Sequence, residues 1–303
     1  MVEKPNQEYT SKETLLLVIN RLKEIGASVI DEKEIELLVE IGRGGFGVVY
    51  KAKYGDNIVA VKELLVNIKN DSIDEITNEI LVIQRAEHEK LPQFYGVAIS
   101  LTSKLMLVFE FIDGENYKTI YKQMDFKSNI SAMIQLCEII HAMHEKRLIH
   151  RDIKPANTMI QSGNVVRVID FGISKIASKT CTYTRSTVGT VYYMGPENYD
   201  VDLEDESKIE KPIALTPKAD VWSIGCMISE IFSGGVMPWT GKFKIPQQIE
   251  TLLIRKTKLN IPKIITDERV IEVINMCTVI DPQDRADMTE VIGKLQEIYN
   301  NEK

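Results

Sequence analysis

His150-Arg151-Asp152-Ile153-Lys154-Pro155-Ala156-Asn157, followed by Asp170-Phe171-Gly172, is the stretch on which the reading of this chain turns. Its polar residues form a chemical set. Asp152 can accept a proton or orient a hydroxyl, Lys154 can neutralise negative charge, and Asn157 and Asp170 offer oxygen to hard cations such as Mg2+. Each residue alone is an ordinary polar loop residue. In this order and spacing they supply what phosphoryl transfer requires: a proton acceptor, metal ligands and a cation against phosphate charge.

Upstream, Gly42-Arg43-Gly44-Gly45-Phe46-Gly47-Val48-Val49 reads G-x-G-x-x-G-x-V. Glycines let backbone N–H groups approach phosphate oxygens, although a plain glycine-rich hairpin has the same spacing. A dinucleotide-binding turn would open a helix here, whereas Val48–Ala52 continues as strand. No Gly-Lys-Ser/Thr follows, which excludes a Walker-type loop. The next strand carries Val59-Ala60-Val61-Lys62, a lysine in an apolar setting that calls for a counter-charge. Glu79, on the following helical segment, is the natural partner, and Glu75 and Glu87 compete for the role on sequence alone.

Periodicity organises the rest. Leu15, Val18, Ile19, Leu22 and Ile25 predict a helix from Ser11 to a cap at Gly26. Residues 34–65 alternate apolar and polar positions as short strands do, with a turn at Tyr54-Gly55-Asp56-Asn57. Asp74–Glu87 returns to helical spacing, and Leu91–Ile112 reads as two more strands. Helical stripes then run through Ile130–Met143 and Val221–Phe232. A small strand-rich half thus precedes a larger helix-rich half, with the linker near Glu110–Glu115.

The chain has 303 residues, 44% hydrophobic and 27% charged, enough for a sizeable core. A net charge of −7 argues against broad binding to nucleic acid or anionic membranes. Cys137, Cys181, Cys226 and Cys277 are scattered, without a Cys-x-x-Cys pair, which suits a reducing compartment. The polar first ten residues give no signal peptide, and Leu15–Ile19 is too short to cross a bilayer. The expected setting is intracellular, cytoplasmic or nuclear.

From Leu37 to Tyr299 these motifs resemble the eukaryotic protein kinase family, serine/threonine type. The resemblance implies an α+β, two-lobed fold. Residues 1–34 form an N-terminal extension with a helix, 35–112 an N-lobe of antiparallel sheet with one main helix, and 113–303 a mostly helical C-lobe. Residues 35–300 make one catalytic domain. It implies ATP and Mg2+ as cofactors and protein substrates as partners. Glu79 becomes the partner of Lys62, with Asp152 and Lys154 completing the catalytic set and Asn157 and Asp170 holding metal. ATP contacts fall to Ile41, Gly42, Gly44, Gly47, Val49, Ala60, Lys62, Glu110, Ile112 and Met159, behind a bulky Phe109 at the gatekeeper position. Ile83, Phe94, His150 and Phe171 match the family's regulatory spine.

Further residues match structural positions of the family. Gly195-Pro196-Glu197 resembles its Ala-Pro-Glu, with Glu197 paired to Arg285, and Asp220 is expected to hold the catalytic-loop backbone. Lys154 and Gly189-Thr190 resemble the serine/threonine type. The stretch Val188–Glu197 also resembles dual-specificity spindle-checkpoint kinases, and a kinship with tyrosine-kinase-like serine/threonine enzymes is a further alternative. Arg151 implies a phosphate switch in the activation loop, with Ser186 and Thr187 the best-placed acceptors among its hydroxyls. The acidic stretch Asp200, Asp202, Glu204, Asp205 and Glu206 offers a docking site to a basic partner, or a solvated loop. Two rival functions are a nucleotide-binding pseudokinase scaffold and a kinase of small molecules or lipids.

Overall fold

The computed structural model describes residues 11–44, 47–64, 73–86, 88–100, 102, 104–170, 191–199, 216–241 and 247–302. They fall into two compact units, one running to Ile112 and the other starting at Asp113.

The first unit opens with α1 (Ser11–Glu24). Five antiparallel strands follow: β1 (Ile35–Gly44), β2 (Gly47–Tyr54), β3 (Asn57–Leu64), β4 (Phe94–Ile99) and β5 (Leu105–Glu110), in the order β1-β2-β3-β5-β4. A second helix, α2 (Ile73–Arg85), lies in the chain between β3 and β4. β2 and β3 close on a two-residue turn with Tyr54 opposite Asn57, and Gly55 there takes φ +56°, which glycine adopts without a Cβ penalty.

Side chains alternate across a strand, so this register sorts the sheet into two faces. On one, Ala52, Val59, Val61, Ala98, Met106 and Val108 bury against Ile30. The other carries Val49, Ala60, Lys62, Leu107 and Phe109: Val49 faces Lys62 across the strands, Lys62 faces Leu107, and Ala60 faces Phe109.

β1 departs from simple alternation. Leu37, Leu38, Val39 and Ile41 are all exposed, between 43% and 54%. The strand lies at the sheet edge, and its register against β2 slips at Leu38 and again at Ile41. Each slip adds a residue with no opposite partner, which turns successive side chains off the buried face.

The second unit contains a small sheet of β6 (Glu115–Asn116), β7 (Thr158–Gln161) and β8 (Val165–Val168). Its helices among the described residues are α3 (Tyr117–Ile120), α4 (Phe126–Glu145), α5 (Lys218–Phe232), α6 (Gln247–Ile254), α7 (Glu268–Cys277) and α8 (Met288–Asn301). Every residue of α5 from Ala219 to Ile231 is buried at the centre of a core, the carboxylates of Asp220 and Glu230 among them. Around it α4 and α7 pack, and α8 lies against α4. This α+β build, strand-rich and then helix-rich, is the one the resemblance implies.

Gly225 sets the closest approach of α5 and α7. A Cβ added there would stand 2.6 Å from Cβ of Cys277 and 2.7 Å from Cγ2 of Thr278, both in fully packed surroundings. The Cys277 thiol beside it is pushed up to about 12 by burial. Gly225→Ala is therefore expected to lower the unfolding free energy by about 1–3 kcal/mol through overpacking, read from the urea midpoint at unchanged slope.

Candidate active site

The catalytic loop begins where α4 ends. Its last turn closes with Arg147 at φ +60° and Leu148 N–H bonded to the Met143 carbonyl (2.9 Å). The chain then reaches His150 and turns through Arg151, also left-handed at φ +69°. A left-handed arginine is strained and needs outside support. Asp220, wholly buried on the first turn of α5, provides it: its Oδ2 accepts from His150 N–H (2.9 Å) and its Oδ1 from Arg151 N–H (2.8 Å). Nε2 of His144, on α4, lies 2.8 Å from the same Oδ2.

An asparagine at 220 would turn an amide N–H2 toward one of these donors. Asp220→Asn is expected to lower stability by about 2 kcal/mol, measured by denaturant unfolding of the full chain, and to slow any reaction that the loop performs.

Within the loop the chemistry-bearing groups converge. Nζ of Lys154 donates to both carboxylate oxygens of Asp152, at 2.9 and 2.8 Å. Asn157, in the turn Pro155–Asn157, donates from Nδ2 to the Asp152 carbonyl (2.7 Å) and to Asp152 Oδ2 (2.8 Å). Its Oδ1 therefore points the other way, available to a hard cation. The β7–β8 hairpin brings in the next oxygen donor. Thr158 pairs with Val168, so Asn157 stands opposite Ile169, whose N–H donates to the Asn157 carbonyl (2.9 Å). Asp170 follows at φ +62°, a second strained non-glycine residue in the site. Two oxygen donors a residue apart in register suit Mg2+ better than a soft metal.

His150, fully buried, accepts from Asp152 N–H through Nδ1 (3.2 Å). Burial holds its imidazole below the ordinary range, against the opposing pull of Asp220 and Asp152.

In the first unit, Lys62 is 8% exposed on β3, on the same sheet face as Val49, Ala60 and Phe109. The rings of Phe109 and Phe94 meet at 5.1 Å. Glu110, at the end of β5, exchanges backbone and side-chain bonds with Gln93, and Ile112 is buried. Ile41 is exposed on β1. In the second unit, Met159 lies on β7, its sulfur 3.8 Å from Nδ2 of Asn116.

The glycines divide into two kinds. At Gly47 an added Cβ would overlap the Glu63 carbonyl, so β2–β3 packing alone demands glycine. At Gly42 the nearest atom would be 4.0 Å away, and at Gly44 nothing lies within 4 Å. Among the described residues nothing in the packing requires glycine at either, which is what a backbone approached by a ligand predicts.

Some expected residues lie outside the described ones: Gly45, Phe46, Glu87, Phe171, Gly172, Cys181, the activation-loop hydroxyls through Thr190, and the acidic stretch 200–206. Glu79 sits on α2, while its side chain is outside the description.

Beyond the loop, Glu197 and Arg285 form the expected pair at 2.6 and 3.0 Å. Glu230 and the two tyrosines that meet it were not singled out by the sequence. Its buried carboxylate accepts from Tyr193 (2.5 Å) and Tyr121 (3.1 Å), and burial raises both phenols far above their ordinary range. A charged residue at position 230, amid the apolar run of α5 that follows Asp220, was the available signal.

Comparison with known sequences agrees with this geometry. Residues 35–295 match the protein kinase domain family. Mitogen-activated protein kinase kinase 7 of Arabidopsis thaliana is 29% identical over 208 residues, 68% of this chain and 66% of that protein. Serine/threonine-protein kinase STY46 of the same plant is 30% identical over 275 residues, 89% of this chain and 45% of its own. Serine/threonine-protein kinase dst2 of Dictyostelium discoideum is 28% identical over 268 residues, 85% of this chain and 22% of its own. The chain thus spans between 22% and 66% of the length of these relatives. With the loop geometry, the two strained turns and a match across most of its length, this chain belongs to the protein kinase family.

Proposed function

We propose that the chain transfers the γ-phosphate of ATP to serine and threonine hydroxyls of proteins. The observation that carries this is the Asp152 carboxylate, gripped by Lys154 and Asn157 while Asp170 follows in register. Asp152 receives the hydroxyl proton as the acceptor oxygen bonds to the γ-phosphorus and the bond to the ADP oxygen breaks. Lys154 neutralises charge on the transferring group, and Lys62 supplies a cation to the phosphates, with Glu79 as its partner. Asn157 Oδ1 and the Asp170 carboxylate hold Mg2+, which when bound neutralises phosphate charge. The backbone at Gly42, Gly44 and Gly47 covers the phosphates. Ile41, Val49, Ala60, Glu110, Ile112 and Met159 take the adenine.

Residues 35–112 and 113–303 form the two lobes of this catalytic domain, and the division of compact units at Ile112 supports that reading. Phosphorylation at Ser186 or Thr187 switches activity, and the acidic loop 200–210 docks a basic partner. The setting is cytoplasmic or nuclear, a reading supported by three buried free thiols, Cys137, Cys226 and Cys277. No helix among the described residues is long and apolar enough to cross a membrane.

A positional-scanning peptide library with serine, threonine and tyrosine acceptors and radiolabelled ATP tests the activity. Label is expected on serine and threonine. Label on tyrosine as well makes the enzyme dual-specific. No transfer from folded, phosphorylated, ATP-binding protein would make it a scaffold, and transfer only to a small alcohol would make it a kinase of another class. Phosphatase treatment is expected to lower activity, and unchanged activity would remove the switch.

A further inference from the structure

The segment before β1 is built into the first unit. Leu15, Val18, Ile19 and Leu22 of α1 recur at i, i+3, i+4 and i+7, and their exposures are 4%, 0%, 7% and 0%. That stripe lies against α2 and β4. Among the described elements, α2 packs on α1 and on β4.

The residues after α1 join the same two elements. Gly26 (φ +76°) ends the helix, with Ala27 N–H bonded to the Leu22 carbonyl at 2.8 Å. The turn delivers Ser28 between α2 and β4. Its N–H donates to Oε1 of Gln84 on the last turn of α2 (2.9 Å), and its carbonyl accepts from Val97 N–H (3.0 Å). Ile30 N–H returns a bond to the Val97 carbonyl (2.8 Å), and its side chain enters the sheet core. Residues 28–30 thereby cover the open edge of β4 in a parallel bridge. Gly96 bears the imprint of this contact. It holds φ +151°, and a Cβ there would stand 2.6 Å from the Ser28 carbonyl oxygen.

We propose that α1 with Ser28–Ile30 is a positioning strut for α2, so that the rate of phosphate transfer depends on a segment outside the catalytic motifs. The inference rests on the kinase reading above, because α2 is the helix that bears Glu79. A helix with one side packed on a neighbour and its last turn bonded to the residues that follow that neighbour is displaced when they leave. The strut therefore acts on catalysis through what α2 carries, not through substrate or nucleotide directly.

The test uses the full chain with Val18→Asp, which charges the buried stripe, and Gly96→Val, which forces Ser28 off β4. Gln84→Ala is a milder third variant, removing one bond. Leu17→Asp, on the exposed side of α1 at 36%, is the control. Amide exchange over Ile73–Arg85 and steady-state kinetics are read together.

Val18→Asp and Gly96→Val are expected to speed exchange in α2 and lower kcat about tenfold or more, with the peptide KM little changed. Gln84→Ala shifts both in the same direction by less, and Leu17→Asp shifts neither. In a Glu79→Gln background, Val18→Asp lowers kcat no further, whereas a general loss of stability would multiply in both backgrounds.

Unchanged α2 exchange, faster exchange at unchanged kcat, or equal losses in both backgrounds would each overturn the strut. Should Val18→Asp fail to fold, Gly96→Val and Gln84→Ala decide. A chain inactive in every form would sink the kinase reading instead. In that case the dependence of transfer rate on the strut falls with it, and faster exchange in α2 would leave only the structural hold of α1 on that helix.

Discussion

Asp152→Asn is expected to cut phosphate transfer about a thousandfold while leaving the chain folded and able to bind ATP. The wild-type carboxylate accepts from Lys154 through both oxygens and from Asn157 through one. An asparagine amide has a single acceptor atom, so its N–H2 must face either the Lys154 ammonium or the Asn157 amide. The substitution removes the proton acceptor and also loosens the lysine that it aligned. A thousandfold loss corresponds to about 4 kcal/mol of barrier. Folding is spared because Asp220 still holds the loop backbone and Asn157 still donates to the residue 152 carbonyl. Single-turnover transfer to a serine peptide, beside ATP binding by calorimetry, reads the two effects separately. Activity within tenfold of wild type would remove Asp152 from the chemistry.

The largest stability effect is expected at Arg285. Its side chain is fully buried, and all five N–H groups are engaged. Nε donates to the Val279 carbonyl (2.9 Å), Nη1 to Glu197 Oε1 and the Lys218 carbonyl (both 2.6 Å), and Nη2 to Glu197 Oε2 (3.0 Å) and the Ile280 carbonyl (3.3 Å). The guanidinium also lies 5.0 Å from the centre of the Trp222 ring. Lys218 returns a bond to the Arg285 carbonyl, closing the group.

Arg285→Ala leaves a carboxylate without its counter-charge and three carbonyls without donors. The expected cost is about 3–5 kcal/mol of unfolding free energy, measured by denaturant titration. Arg285→Lys recovers only part, since an ammonium cannot fork across the carboxylate and reach three carbonyls. Glu197→Gln costs less than Arg285→Ala, because the arginine keeps its carbonyl partners. A loss under about 1 kcal/mol at Arg285 would place the pair among ion pairs of no structural weight.

Different parts of the chain were legible to different degrees, for physical reasons. The periodicity at Leu15–Leu22 and the cap at Gly26 locate α1, because a helix is built from bonds between near neighbours. The turn at Gly55-Asp56 places the β2–β3 hairpin, and the alternation it imposes fixes which face carries Lys62. β1 was less legible: two bulges break its alternation, and a bulge follows from edge position and twist more than from residue type.

By itself, the sequence determined the chemistry. Residues close in the chain, Asp152, Lys154 and Asn157, meet because one tight loop contains them, and a hairpin adds Asp170. The tertiary structure decided what holds that chemistry in place. His144 reaches Asp220 across 76 residues, Tyr121 reaches Glu230 across 109, and Ser28 reaches Gln84 across 56. Such contacts depend on which helix faces which strand, and no local propensity encodes that. The loop could be recognised from its residues alone. Its buried clamp, and the strut that covers α2, became visible only once the chain had packed.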